Sequence, residues 1–293
     1  NSVFWFVNNL PSIYPLFLRD ADGNYVKDTR YGGNQIDYGN QGRSFGFGTN
    51  AIGDAKYNLS ENLSHSFNSN FSVKMDLLTG LTFESKYGVQ YQSSTANSIG
   101  NPFYGAGSTN KGSLAQTQSS WLTQNMLNMF QYTKDFGDHN LSTLVAHESN
   151  QYITRFSSIS KRTVVNLFNG LRSPNNYINS TVPASGAKTE VSIESLIGQV
   201  NYGYKNKYYF TASIRRDGSS RFVNQKWGTF GSAGLSWIAS KESFMENVDF
   251  VNFLKLKVSY GLGGDQAGAS AYSGQNTYGI QNLGGEVALT VNA

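Results

Sequence analysis

Residues 204–230, YKNKYYFTASIRRDGSSRFVNQKWGTF, decide the fold class of this chain. The run Tyr208–Arg216 alternates aromatic or aliphatic side chains with polar ones, which is the pattern of a β-strand with one apolar and one polar face. The segment KNK before this run is short enough to form a tight turn. The segment RRDGSSR, residues 215–221, admits two interpretations. It is either an anion-binding or active-site loop on a soluble enzyme, or the end of a wall strand in a protein that is not an enzyme.

The same alternation recurs along most of the chain from Phe67 onward. The apolar residues fall mostly on one alternating face in five further runs, at 67–76, 81–91, 196–204, 227–237 and 254–262. Two less regular runs, 121–133 and 139–152, flank the compact turn KDFGDHN. Helical periodicity is limited to about one turn around KESFMENV. We therefore predict an all-β chain of consecutive antiparallel hairpins over residues 67–293.

Segments rich in Gly, Asn and Ser separate these runs. Residues 1–66 are irregular and hold two of the five prolines in NNLPSIYPLFLRDADGNY, which predicts a loop-rich segment. Further loops are expected at 93–118, 169–187 and 215–226. The apolar stretch Val3–Val7 is too short for the hydrophobic region of a signal peptide. We expect both ends of the chain to be cuts inside a larger protein.

The composition excludes several classes of protein. Charged residues make up 14% of the chain, against roughly 25% in typical soluble domains. An aromatic content of 14% argues against disorder. Cysteine is absent, so disulfides, Cys-zinc sites and thiol nucleophiles are excluded. The net charge of +4 comes from scattered basic residues rather than a concentrated stripe, so we expect no nucleic-acid partner.

Three features favour a membrane barrel over a soluble sandwich. The clean runs are about as long as the 9–11 residues that a tilted strand needs to cross an outer membrane, whereas soluble strands cluster near 5–6 residues. Short and long connections alternate, as they do in outer-membrane barrels. Aromatic residues gather at the ends of the runs, as in interfacial girdles: Tyr202, Tyr204, Tyr208, Trp227, Trp237 and Tyr260.

The lysines of the last run fix which face meets lipid. Lys255 and Lys257 lie on one face of a single strand, and each would cost roughly 2–4 kcal/mol facing lipid near the bilayer midplane. They must therefore face a wet or plugged interior. The opposite face, from Leu254 to Leu262, is the face expected to meet lipid.

Several segments resemble the barrel of SusC/RagA-type TonB-linked outer-membrane transporters. The similar segments are YKNKYYFTASIRRDGSSRF, WGTFGSAGLSWIASKESFM, FLKLKVSYGLGGDQ, NMFQYTKDFGDHNLSTLVAHE and NNLPSIYPLFLRDADGNY. They extend over most of residues 9–265 in family order, and Arg-Arg-Asp-Gly-Ser-Ser-Arg-Phe is the most specific of them.

This resemblance implies a fold and a function beyond what periodicity indicates. It implies part of a large 22-stranded barrel with long extracellular loops, short periplasmic turns and a plug, located in the bacterial outer membrane among lipid and lipopolysaccharide. Such proteins import glycans, oligosaccharides or peptides beneath a SusD-like lipoprotein lid, with energy from TonB, and use no cofactor. The plug, the TonB box and the C-terminal barrel strands are expected to be absent from this chain.

The resemblance favours a structural interpretation of RRDGSSR, which also lacks the spacing of a phosphate-binding loop. Asp217-Gly218 is expected to form a tight turn, while the arginines leave the membrane face or pair with interior acids. Because transporters of different substrates share this signature, we expect it to be architectural rather than substrate-reading. The signature comprises Arg215, Arg216, Asp217, Gly218, Ser219, Ser220, Arg221 and Phe222.

Other candidate sites are weaker. Tyr104, Tyr177 and Phe222 are candidates for stacking on a sugar ring or a peptide side chain, with ordinary loop packing as the alternative for each. DADGN, residues 20–24, imitates the start of a calcium loop, but Tyr31 stands where the bidentate Glu belongs, which predicts an Asx-rich turn. The three histidines lack ligand spacing, and we expect no catalytic or metal site.

Two alternative functions remain open at the level of sequence. One is a structural or adhesion barrel of the outer membrane. The other is a soluble carbohydrate-binding β-sandwich, with or without enzymatic activity.

Overall fold

A computed structural model gives the architecture of the chain. The structure describes residues 4, 8, 14–39, 48–167, 169–180, 183–246, 248, 250–275, 278–283 and 286–291. Apart from Phe4, the apolar stretch Val3–Val7 lies outside the described residues, as do parts of the predicted loop segment 1–66.

Antiparallel strands dominate the described residues. Nine strands form one sheet in the order β1-β2-β3-β4-β6-β7-β8-β9, with β5 paired to β4, and β10 and β11 form a separate hairpin. This confirms the prediction of an all-β chain of antiparallel hairpins. The strands are β1 Leu59–Leu78, β2 Leu81–Gly100, β3 Ser113–Phe136, β4 His139–Val164, β5 Tyr177–Ser180, β6 Ser185–Tyr204, β7 Tyr208–Ser219, β8 Trp227–Ile238, β9 Lys255–Leu262, β10 Tyr278–Leu283 and β11 Glu286–Val291.

Short helices lie in the connections. Helix α1, Ala51–Tyr57, begins at Asn50, whose side chain accepts hydrogen bonds from the N–H groups of Ile52 and Gly53. The predicted helical turn in KESFMENV is present as the 3₁₀ turn Ser243–Met245. Other 3₁₀ turns are Ala106–Asn110, Pro174–Asn176 and Ala239–Lys241.

Several strands are much longer than the alternating runs in the sequence. β1, β2 and β6 have 20 residues each, β3 has 24 and β4 has 26. A 20-residue strand spans roughly 65 Å, about twice the thickness of a bilayer core. The alternation marks only the part of a strand that has one apolar face, while Ser, Asn and Gln continue the strand where no such face is required.

The predicted long loops are accordingly shorter. The loop expected at 93–118 is reduced to 101–112, because β2 continues to Gly100 and β3 begins at Ser113. The loop expected at 169–187 contains β5 and the start of β6. The loop expected at 215–226 begins only after Ser219, so Asp217-Gly218 is a strand segment and the predicted tight turn there is wrong.

The compact turns are where the sequence predicts them. Between β6 and β7, Lys205 and Asn206 have φ of 51° and 52°, and the Lys207 N–H donates to the Tyr204 carbonyl at 3.0 Å. Two consecutive positive φ values are the geometry of a type I′ hairpin turn. KDFGDHN contains the turn at Gly137-Asp138 between β3 and β4. The connection of β8 to β9 is longer, at residues 239–254.

The chain divides into two compact units. The first comprises Asn1–His65, Ser93–Ser120 and Arg155–Ala187, and includes a buried apolar cluster of Ile99, Leu114, Val164 and Tyr177. The second comprises Ser66–Gln92, Trp121–Thr154 and Lys188–Ala293, and includes β7, β8 and β9 in full.

Candidate functional site

The register of β6 to β9 separates an apolar face from a polar face. Tyr208 lies opposite both Tyr204 and Trp237, and Trp237 lies opposite Leu256. Because side chains alternate along each strand, these pairings put the predicted apolar residues on one face. The apolar face comprises Leu196, Val200, Tyr202, Tyr204, Tyr208, Phe210, Ala212, Ile214, Trp227, Ala233, Leu235, Trp237, Leu256, Val258, Tyr260 and Leu262.

The polar face pairs hydrogen-bonding side chains across strands. Ser213 and Ser232 hydroxyls are 2.7 Å apart, and the Thr211 hydroxyl donates to Asn201 Oδ1 at 3.0 Å. Lys255 and Lys257 share this face, because they alternate with Leu256 and Val258 along β9. The two faces therefore agree with the orientation inferred from the lysines.

Arg215 is the centre of an ionic network on the polar face. Its Nε donates to Asp217 Oδ1 at 2.6 Å, and its Nη2 donates to Glu148 Oε2 at 3.1 Å and to Ser195 Oγ at 2.9 Å. Glu148 also accepts a hydrogen bond of 3.2 Å from Asn125 Nδ2. Both carboxylates of the network are thus partnered, and the arrangement holds four strands together.

Arg216 points to the opposite face of β7. Its guanidinium carbon lies 5.4 Å from the centroid of the Trp227 ring, within the range of a cation–π interaction. The indole lies across Gly218, where an added Cβ would come within 3.0 Å of three ring atoms. Arg215 and Arg216 therefore project to opposite faces of the sheet.

The serines of the signature close the loop at residues 220–226. The Ser219 N–H donates to the Lys226 carbonyl at 2.9 Å. The Ser220 N–H donates to the Ser192 carbonyl at 2.9 Å, and the Ser192 N–H donates to Ser220 Oγ at 2.9 Å. The Ser219 bond joins the two ends of the loop, and the Ser220 bonds fix its start to β6.

A cavity of about 770 Å³ lies between this loop and residues 264–274. We call it the loop cavity. Its walls come from the polar-face ends of β7 and β8 and from both loops, and include Arg215, Asp217, Arg221, Phe222, Lys226, Phe230, Asp265 and Gln266. A volume of this size is typical of sites for small ligands.

Phe230 forms one wall of the loop cavity by packing on two glycines. An added Cβ on Gly228 would lie 2.8 Å from its ring, and one on Gly264 would overlap the ring. Phe230 faces Arg215 across the β7–β8 pair. The glycines therefore allow a flat aromatic surface beside the ionic network.

Arg221 and Gln266 line the loop cavity, and each has a buried polar atom without a partner among the described residues. Arg221 Nη1 donates to the Ala269 carbonyl, but its Nε has no hydrogen-bond partner among the described residues. Gln266 Oε1 is likewise buried and without a partner. Buried polar atoms without partners are rare in native proteins, because each one loses its bonds to water.

The three aromatic candidates have different surroundings. Phe222 lines the loop cavity and is 36% exposed. Tyr177 is 3% exposed, and its hydroxyl donates to the Leu171 carbonyl at 2.8 Å, which favours the loop-packing alternative. Tyr104 lines a smaller cavity in the first unit, and its hydroxyl donates to Asp28 Oδ1 at 3.0 Å.

Asp28 organises the loops around Tyr104. Its carboxylate also accepts a hydrogen bond from the Tyr57 hydroxyl at 3.2 Å and from the N–H groups of Arg30 and Tyr31. Burial would raise the pKa of the Asp28 carboxyl, but these hydrogen bonds outweigh burial and lower the pKa from its ordinary value. Sequence reasoning missed this cluster, because its members come from three separate segments.

Glu242 forms a second cluster in the connection after β8. It accepts hydrogen bonds from the Tyr208 hydroxyl at 2.7 Å and from Trp237 Nε1 at 3.0 Å, and it pairs with Lys207 at 3.2 Å. The bonds from Tyr208 and Trp237, more than the nearby Lys207, lower the pKa of Glu242 to about 2. Two aromatic residues of the predicted girdle are thus held by one carboxylate.

The remaining motifs have local roles. Asp20 Oδ1 accepts from the N–H groups of Asp22 and Asn24 at 3.1 and 2.8 Å, which confirms the Asx-rich turn. His139 and His147 contact Tyr202 and Glu194. Across the part of the chain that the structure describes, no three His, Asp or Glu side chains cluster as metal ligands, and no helix is long and apolar enough to cross a membrane.

Curated proteins similar in sequence are TonB-dependent receptors. No family model matches the chain. The chain is 30% identical over 258 residues to the TonB-dependent receptor P39 of Formosa agariphila, covering 86% of this chain and 23% of that receptor. It is 29% identical over 220 residues to the TonB-dependent receptor SusC of Bacteroides thetaiotaomicron, covering 69% of this chain and 20% of that receptor. The chain thus spans less than a quarter of the length of these relatives.

Solved structures of the RagAB peptide transporter share the fold. One aligns with a TM-score of 0.75 over 83% of this chain and 27% of that chain, at 21% identity. Another, the importer in its closed-closed state, aligns with a TM-score of 0.71 over 81% of this chain and 26% of that chain, at 22% identity. The long antiparallel strands therefore correspond to part of the β-barrel wall of this fold. The chain belongs to the SusC/RagA-type TonB-dependent receptors.

Proposed function

We propose that the chain forms part of the barrel of an outer-membrane importer of large nutrients, either glycans and oligosaccharides or peptides. In this proposal TonB supplies the energy, a SusD-like surface lipoprotein is the partner, and transport involves no covalent chemistry. The apolar face meets lipid and lipopolysaccharide, and the polar face lines the interior.

The observation that carries the proposal is the consistent separation of faces over β6 to β9. The apolar face includes large side chains that are more than half exposed, such as Val258 at 67% and Tyr260 at 75%. Contiguous apolar surface of this kind needs a membrane or a partner to cover it. The same strands carry paired Ser, Thr, Asn and Arg side chains on the other face.

This arrangement also disfavours the soluble sandwich. In a sandwich, the apolar faces of two sheets pack on each other. The nine strands here lie in one sheet, and the apolar residues of β9 remain exposed. The prediction of a barrel wall is confirmed at the level of the fold.

TonB-dependent uptake tests the proposed function. The native host would be grown on candidate glycans and peptides with the gene intact, deleted, or deleted and complemented by the natural full-length protein. We expect uptake of at least one oligomeric nutrient to require both this gene and a functional TonB complex. Adhesion to surfaces, measured in the same strains, provides the contrasting readout.

The outcomes separate importer from adhesion barrel. Loss of adhesion without loss of uptake of any nutrient would favour the structural or adhesion barrel. Uptake that depends on the gene but continues without TonB would overturn the energised mechanism.

A further inference from the structure

We propose that the loop cavity binds an acidic sugar unit, one that carries a carboxylate or a sulfate, within a larger oligosaccharide. This inference rests on the proposed function and names the substrate class at one site. The charge, the hydrogen-bonding capacity and the shape of the cavity walls support it.

The charges in the cavity leave one guanidinium without an acidic partner. Arg215 already pairs with two carboxylates, those of Asp217 and Glu148. Arg221 makes no ion pair among the described residues, and its contact with the Ala269 carbonyl leaves the charge uncompensated. The remaining acid of the wall, Asp265, accepts the Ala267 N–H at 2.8 Å and so stabilises its own loop. The cavity therefore favours an anionic group near Arg221.

The unpartnered polar atoms define what else the ligand must offer. Arg221 Nε can donate one hydrogen bond, and a carboxylate or sulfate oxygen accepts such bonds in a planar fork geometry. Gln266 Oε1 requires a donor, which an anion lacks and a neighbouring sugar hydroxyl supplies. An acidic sugar carries both an anionic acceptor and hydroxyl donors.

The walls favour a saccharide over a peptide. Phe222 and Phe230 offer apolar surface to the face of a sugar ring, while the side-chain amides of Asn224 and Gln225 can donate to and accept from hydroxyls. One recurring way to bind an extended peptide is to add it as a strand to an open sheet edge. Both edges of β7 are already paired with β6 and β8, and both edges of β8 with β7 and β9.

Equilibrium binding to the purified full-length protein in detergent tests the inference. The probes are tetragalacturonate, its neutral methyl ester, a sulfated galactan oligomer of similar length and tetraglutamate. The variants are R221Q and R221K, with K205Q as a control that removes one positive charge in the turn between β6 and β7. Thermal unfolding of each variant verifies that it remains folded.

We expect an acidic oligosaccharide to bind more tightly than the methyl ester. Comparing tetragalacturonate with the sulfated galactan oligomer then shows whether the site prefers a carboxylate or a sulfate. R221Q should weaken this binding roughly ten- to a hundredfold, the effect of losing one charge-assisted hydrogen bond. R221K keeps the charge without the planar fork and should lose less. K205Q should bind like the wild type.

Three results would overturn the inference: equal binding of acidic and neutral oligosaccharides, unchanged binding in folded R221Q, or preference for tetraglutamate. The inference would also be overturned if none of the probes bound and the cavity held only water. Because binding needs no energy source, such a failure leaves TonB-dependent uptake of other nutrients intact. Failure of uptake alongside normal binding would instead count against the proposed function.

Discussion

Arg215 on β7 donates a hydrogen bond of 3.1 Å to Glu148 on β4, across the intervening strand β6. The same nitrogen donates to Ser195 on β6 at 2.9 Å. One guanidinium therefore links three strands on the polar face, and Asp217 fixes its orientation through Nε. Such a link holds the relative positions of strands at the point where the loop cavity begins.

Replacing Arg215 with Gln should destabilise the protein, because Glu148 and Asp217 would lose their common cation. The three side chains are 28–42% exposed, so we expect the lower part of the range for charged hydrogen bonds, about 1–2 kcal/mol. Thermal unfolding of the full-length protein in detergent measures the change. R216Q is the matched control, since the contact of Arg216 recorded among the described residues is the cation–π contact with Trp227. A larger loss in R216Q than in R215Q would contradict this assignment.

Gly264 offers a second test, because an added methyl group there would overlap the Phe230 ring. G264A should push the ring into the loop cavity and cost about 1–3 kcal/mol, the usual range for overpacking. Ligand affinity at the cavity should fall together with stability. The measurements are thermal unfolding and equilibrium binding of the acidic oligosaccharide probe.

The neighbouring glycine is the control for this change. Gly263 has open space where its Cβ would lie, so G263A should leave both stability and binding near wild type. Equal effects at the two positions would show that Phe230 is not what constrains the loop.

The pKa of Glu242, lowered to about 2, predicts a pH dependence of stability. A lowered folded-state pKa means that the bonds from Tyr208, Trp237 and Lys207 contribute fully above the ordinary Glu value, about 4.3. This contribution should decline as the pH falls from that value towards 2. In E242Q, the slope of melting temperature against pH should be shallower in that window. A slope identical to that of the wild type would exclude Glu242 as the source of this pH dependence.

The sequence was sufficient for the faces of β6 to β9 and for the compact turns. Alternation carries this information because a shift of one residue would move every apolar side chain to the wrong face. The type I′ turn at Lys205-Asn206 then fixes the register of β6 against β7. Strand, register and orientation are therefore local properties that a single sequence displays.

The strand ends and the loop cavity could not be predicted in the same way. Asp217-Gly218 has the composition of a turn, yet Gly218 is required in the strand so that the Trp227 indole can lie across it. Arg221 and Gln266 come together only through the folding of two loops 45 residues apart. Helix α1 has seven residues, too few for a clear helical period, and its start at Asn50 is the main local signal.

Asp28 and Tyr104 allow a test of the loop cluster in the first unit. Because its pKa lies below the ordinary Asp value, the Asp28 carboxylate should stabilise the folded state above about pH 4 and lose this effect at lower pH. D28N should lower the melting temperature at neutral pH, and Y104F should lower it less, because one hydrogen bond of about 1 kcal/mol is lost. D22N, at an exposed position in the Asx-rich turn, is the control. Loss of transport in Y104F without any change in melting temperature would instead favour a ligand-binding role for Tyr104.

The assignment of the two faces can be tested by introducing a lysine at either of two adjacent positions of β9. Val258 is 67% exposed on the apolar face of β9, and Ser259 lies on the polar face next to Lys257. V258K should cost roughly 2–4 kcal/mol if the residue faces lipid near the midplane, whereas S259K should be tolerated, since Lys255 and Lys257 already occupy that face. The amount of folded, heat-modifiable barrel in the outer-membrane fraction measures the difference. Equal yields would show that neither face meets lipid, and a lower yield of S259K would reverse the assignment of the two faces.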